Sequence, residues 1–145
     1  MTDSLLTKLQ EATTEAERSW IITESLLDVL SPALRESALA VAVPHWYDVS
    51  ILSALLRIDV DTAASLYQEL PLLSFVETFG NLGYTVHELT RAGILRYLIT
   101  NQSEQFQEWS KRGYEYFQKL HTSQHLAEAV YHLLAHNEVK GTKKL

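Results

Sequence analysis

The chain has no cysteine among its 145 residues. Disulfides, thiolate zinc sites and a cysteine nucleophile are therefore excluded, and the composition is what a cytosolic protein would have. Glycine (5) and proline (3) are scarce, which favours long helices over a turn-rich all-β design. No run approaches the roughly 20 consecutive apolar residues that span a bilayer. The opening Met1-Thr2-Asp3-Ser4-Leu5-Leu6 lacks the basic and apolar regions of a signal peptide. These absences lead us to expect a soluble, cytoplasmic chain without a membrane partner. Also missing are a G-x-x-x-x-G-K-[ST] phosphate loop and a G-x-S-x-G nucleophile turn. With no triad or metal motif in view, the expectation is that the protein is not an enzyme and needs no cofactor.

Apolar residues make up 46% of the chain, enough to build a core in one domain with a short helical appendage. The net charge of −6 is unevenly placed. Residues 1–70 hold eleven acids and four bases, a net of −7, whereas residues 71–145 hold seven acids and eight bases, a net of +1.

Apolar spacing predicts helices from the start. Leu5, Leu6 and Leu9 share a face, Trp20, Ile21, Leu27 and Leu30 continue the pattern, and Thr14 with Glu17 reads as a capping box that restarts a helix. Ser31-Pro32 opens the next helix as N-cap and first residue, with Leu34, Ala38, Leu39 and Ala42 as its buried stripe, and Pro44 closes it. Asp48 caps a helix whose Ile51, Leu52, Leu55 and Leu56 point inward; after the turn Arg57-Ile58-Asp59-Val60 comes a helix over about 61–70. Three short helices with a tight turn before the third describe a helix-turn-helix. Leu72 to Phe79 is rich in strand-formers, Gly80-Asn81-Leu82-Gly83 signals a turn, and Tyr84-Thr85-Val86 gives a return strand. Helices follow at about 87–100, 103–120 and 122–137, with Ser103 and Thr122 expected as N-caps, and 138–145 reads as a mobile tail.

The fold class so derived is mainly α: a winged helix-turn-helix with a small β-hairpin, flanked by N-terminal helices and a C-terminal helical hairpin. The units are 1–30, N-terminal helices; 31–100, the winged helix; 101–137, a hairpin like one tetratricopeptide-type repeat; and 138–145, the tail.

From about Leu30 to Leu134 the chain resembles the winged-helix region of STAND-type signalling ATPases, the class that includes NB-ARC switch proteins. The resemblance is carried by Leu30-Ser31-Pro32-Ala33-Leu34-Arg35, Leu70-Pro71-Leu72-Leu73 and Gly83-Tyr84-Thr85-Val86-His87-Glu88-Leu89-Thr90-Arg91. Phe106, Lys111-Arg112, Tyr116-Phe117 and Ala127-Glu128-Ala129-Val130-Tyr131-His132-Leu133-Leu134 extend it into what looks like a helix pair opening a repeat array. The resemblance implies that residues 1–30 end a small helical domain preceding the winged helix. It also implies a role for His87, because a Met-His-Asp motif at the start of the helix after the wing senses bound ADP in that family. Here the matching residues are Val86, His87 and Glu88, so the histidine is kept, the methionine is another apolar residue and the acid is one methylene longer. Without a phosphate loop, the resemblance implies a regulatory piece of a switch rather than a working ATPase.

Each candidate site also has a bland reading. For the isolated chain the simpler reading of His87 is preferred: a histidine at a strand-to-helix corner, with Glu88 placed favourably at a helix N-terminus. Asp59 and Asp61 sit where a helix start wants acids. Nucleic-acid binding would fall to Arg91, Arg96, Lys111 and Arg112, but Glu88, Glu104, Glu108 and Glu115 interleave with them, as on a solvated face. The helix that would enter DNA, Asp61 to Leu70, has no Lys or Arg and carries Asp61 and Glu69, with Asp59 just ahead. Duplex DNA bears about one negative charge per 1.7 Å, so such a helix is repelled.

On the last helix His125, His132 and His136 fall within about 40° of one another at 100° per residue. They are read as a solvated flank or a surface stacking on a next helix, with Leu126, Val130, Leu133 and Leu134 as a separate buried stripe. Trp46, Tyr47, Trp109, Tyr114, Tyr116 and Phe117 read as packing aromatics. A lone helical hairpin cannot bury both faces, so the expected partner is protein: other domains of a longer chain, or a second copy joined through 103–137.

Overall fold

Side-chain caps set where the first helices begin. Thr14, Ser31, Asp48 and Asp59 each sit in extended backbone and accept the N–H three residues on, from Glu17 (3.0 Å), Leu34 (3.3 Å), Ile51 (2.8 Å) and Thr62 (2.6 Å). The Glu17 carboxylate returns a bond to the N–H of Thr13 at 2.8 Å, one residue before the cap, and that bond holds its carboxyl below the usual range. These caps open α2 (Glu15–Asp28), α3 (Pro32–Val41), α4 (Val49–Leu56) and α5 (Val60–Glu69), after α1 (Thr2–Glu11). The computed structural model describes residues 2–120 and 122–144, with side chains from 5 to 120 and 122 to 136.

Helix α4 ends at Arg57, which takes a left-handed φ of 53° and turns the chain into α5. Leu70–Leu72 then forms a 3-10 turn, so the first strand is shorter than its strand-forming run suggests. Pro71 cannot donate to a ladder, and pairing starts only at Val76. Strands β1 (Val76–Phe79) and β2 (Gly83–Val86) are antiparallel, with Val76 opposite Val86 and Phe79 opposite Gly83.

A third strand residue joins this hairpin from outside. Tyr47, between α3 and α4, donates its N–H to the Tyr84 carbonyl (2.8 Å) and accepts from the Tyr84 N–H (3.0 Å). Gly83 makes the approach possible: a β-carbon there would stand 2.2 Å from the Tyr47 oxygen, and its φ of 149° suits glycine alone. Helix, bridge, helix, helix, hairpin is the winged-helix order.

The remaining helices are α6 (Glu88–Asn101), α7 (Ser103–Phe117) and α8 (Ser123–Lys144). Ser103 is not the cap expected of it. Only Gln102 separates α6 from α7; it holds the cap position without a side-chain cap bond and gives its amide to the Tyr97 hydroxyl instead (3.0 Å). Thr122 does cap α8, its hydroxyl accepting from the His125 N–H (3.2 Å). The backbone of α8 stays helical to Lys144, beyond the expected end at 137. The side chains of the expected tail 138–145, and Leu145 altogether, lie outside the described residues.

The core lies between α3, α4, α6 and α7, where Leu39, Ile51, Leu52, Leu55, Ile94, Leu98, Trp109 and Phe117 are buried. Helix α2 docks on α6 through Trp20, which lies over Gly93 and stacks on Tyr97 at 5.2 Å. Helices α7 and α8 form an antiparallel hairpin, since Phe117 meets His125, Gly113 meets His132 and Gln107 meets His136. The molecule is thus mainly helical with one small hairpin. No helix among the described residues is long and apolar enough to cross a membrane.

Candidate functional site

His87 closes the wing and opens α6. Its N–H bonds the Phe75 carbonyl (2.7 Å), and its Nδ1 accepts from the Leu89 N–H (3.3 Å), so the ring serves as the helix cap. Nε2 is left facing out, 3.7 Å from Glu77 Oε1 on β1, with the side chain 55% exposed. The residue stands between two clefts. One, of about 410 Å³, lies against α2 and is walled by Arg18, Ile22, Thr23, Phe75 and Thr90. The other, of about 350 Å³, is walled by His45, Glu77, Thr85, Glu88 and Arg91. Both the cap and an outward-facing imidazole are therefore present at once.

The four bases that would form a nucleic-acid face are not brought together. Arg91 is committed to the fold: its Nη2 donates to the Val43 carbonyl (2.9 Å) and the Tyr131 hydroxyl (2.5 Å), and its Nε to the Pro44 carbonyl (3.3 Å). These carbonyls lie in the loop just after α3, outside any helix ladder, and need a donor when buried. Arg112 does the same for α4, donating Nη1 to the Leu55 carbonyl (2.6 Å) and Nε to Glu108 (3.1 Å). Only Arg96 and Lys111 keep exposed side chains.

Helix α8 reverses the expected faces. Its histidines point at the protein and its leucines at solvent. His132 is fully buried, stacked parallel to Phe117 at 5.6 Å, while His125 lies between Trp46 and Phe117 and His136 Nδ1 meets the Gln107 carbonyl (3.1 Å). Leu126, Val130, Leu133 and Leu134, expected to be buried, are 44%, 55%, 37% and 62% exposed. So the histidine face is neither a solvated flank nor a surface for a next helix; it stacks on the preceding one.

The reason lies in a carboxylate. Glu128, buried on the same face, holds the His45 ring through Nδ1, accepts the His45 backbone N–H (3.3 Å) and stands 3.3 Å from His132 Nε2. Tyr131 adds a bond to the Val43 carbonyl (2.9 Å). Together they clasp α8 to the 43–45 loop, so the Glu128 carboxylate and the Tyr131 hydroxyl have partners and can be buried. The His132 ring is held by stacking and by the nearby carboxylate, with no hydrogen bond at either nitrogen. Burial pushes the Glu128 carboxyl up, but its contacts with His132 and His45 outweigh this and hold it at about 2. Burial lowers the His132 pKa, against the opposing pull of Glu128. No sequence pattern pairs Glu128 with a residue 83 positions away, and the glutamate therefore escaped the reading of the helix.

Among the described residues no three His, Cys, Asp or Glu side chains converge to hold a metal ion. Comparison of the chain with known protein families, with curated proteins and with solved structures finds no match.

Proposed function

We propose that the chain is a non-enzymatic regulatory and protein-interaction module of the cytoplasm, acting like the winged-helix segment of a STAND-type switch ATPase without its nucleotide domain. The observation that carries the interaction reading is the inverted α8. Four large apolar side chains lie open on one helix that is itself firmly clasped, and exposed strips of that kind mark association surfaces. The winged helix supplies a rigid body whose docking biases two states of a larger assembly. In such an assembly His87, held as a cap with Nε2 outward, is the contact that reports a nucleotide presented by another domain.

The same geometry favours protein over nucleic acid as partner. Helix α5 presents acids, and two of the four bases that would meet phosphates are bound to backbone carbonyls. The test is fluorescence anisotropy of a labelled DNA duplex titrated with the full chain at low salt. No saturable binding is expected. Tight, salt-sensitive binding, lost when the exposed Arg96 and Lys111 are changed to Ala, would replace this reading with that of a winged-helix transcription regulator.

A further inference from the structure

We infer that the partner of the open α8 face is a second copy of this chain, the two helices meeting antiparallel about a twofold axis at Val130. The inference rests on the interaction-module reading and names its partner.

Among the described side chains of α8, the exposed apolar residues are Leu126, Ala127, Val130, Leu133 and Leu134. At 100° per residue they fan out over an arc of about 120° with Val130 in the middle, the width a helix needs to pack against another. The set also reads the same from either end. Reversed about 130, Leu126 exchanges with Leu134, Ala127 with Leu133, and Val130 with itself. A contact between identical patches requires this self-complementarity, because each residue must find its partner on the other copy under the same rotation. Leu133 of one copy would face the small Ala127 of the other, knob to hole.

From Thr122 to His136 the only Asp, Glu, Lys or Arg is Glu128, and it is 7% exposed. Over 122–136 the outer face of α8 thus carries no charged residue, in a chain of net charge −6. Two such chains repel through the acidic residues 1–70 and meet without like-charge opposition on this face. Nothing in a neutral leucine face selects a charged partner; an identical neutral face fits it. With four large side chains per copy, each only partly exposed, the patch is smaller than a standard specific interface, so the association is weak and reversible.

The experiment is sedimentation velocity of the full chain from about 5 to 500 µM, where a contact of this size shows its affinity. A reversible dimer is expected. Val130→Asp, which brings two carboxylates together on the axis, should weaken it at least tenfold, with circular dichroism unchanged because the side chain it replaces is exposed. The absence of any cysteine allows a second readout. Val130→Cys should give disulfide-linked dimers under copper-phenanthroline oxidation by air, whereas Val29→Cys and Val60→Cys, both more exposed, should not.

A chain that stays monomeric throughout overturns the inference. So does a dimer indifferent to Val130→Asp, or crosslinking at Val130 no greater than at Val60. A monomer that also ignores DNA leaves the interaction module standing with a different partner, whereas DNA binding removes the module reading whatever the chain's self-association.

Discussion

His132 of α8 lies so close to Gly113 of α7 that a β-carbon at 113 would stand 2.8 Å from the histidine's Nδ1. The ring cannot back away, because its other neighbours are Phe117, Tyr131 and the Glu128 carboxylate. The missing side chain at 113 and the buried imidazole at 132 are two halves of one contact, and it brings the hairpin helices together.

Gly113→Ala therefore sets two effects against each other. Alanine favours the helix by about 1 kcal/mol over glycine, but overpacking a filled site costs about 1–3 kcal/mol. With the ring confined, the clash wins, and a lower urea midpoint is expected. Adding His132→Ala should return part of the loss; a double variant no better than the single one would show that the two residues do not press on each other.

The clasp makes the fold acid-sensitive in two steps of the same sign. His132 has a lowered folded pKa, so below about 6.5 the unfolded chain takes up a proton that the folded chain resists, and stability falls. Glu128, at about 2 when folded against an ordinary 4.5, adds stability that is full above the ordinary value and is lost as pH drops from there towards 2. Urea unfolding at pH 7, 5 and 3 should show falling midpoints. Glu128→Gln should flatten the step between pH 5 and 3, worth on the order of 2 kcal/mol in the parent chain.

Arg91 and Arg96 offer a contrast on one helix. Arg91→Ala orphans the Pro44 carbonyl and leaves the Val43 carbonyl with only its bond from the Tyr131 hydroxyl, and a loss of about 1–3 kcal/mol is expected. Arg96→Ala, at an exposed side chain, should stay within about 0.5 kcal/mol. Equal effects in thermal melts would mean that Arg91 is not the buried strut its bonds describe.

Gly83→Ala strikes the wing. The new β-carbon meets backbone rather than a yielding side chain, 2.2 Å from the Tyr47 oxygen, in a conformation strained for alanine. A cost of more than about 3 kcal/mol is expected, and backbone amide exchange should report it first at Tyr47 and Tyr84. Protection there that survives the change would show that the bridge does not depend on the glycine.

Local chemistry alone determined a good deal of this protein. Thr14, Ser31, Asp48, Asp59 and Thr122 marked helix starts because a cap bonds an N–H three residues away, a distance any reading of the chain can span. Gly80 to Gly83 marked the wing for the same reason, and the mainly helical class followed from the apolar spacing. What the tertiary structure decided depended on partners far apart in the chain. Tyr47 became a strand residue because Tyr84 was there to pair with it. Arg91 and Arg112 became struts because the loop after α3 and the end of α4 presented carbonyls to them. Above all, α8 turned its leucines outward: apolar periodicity locates a greasy face but counts a polar one as costly to bury. Glu128, His45, His132 and Gly113 removed that cost, and the contacts that removed it exist only once α7, α8 and the 43–45 loop are side by side.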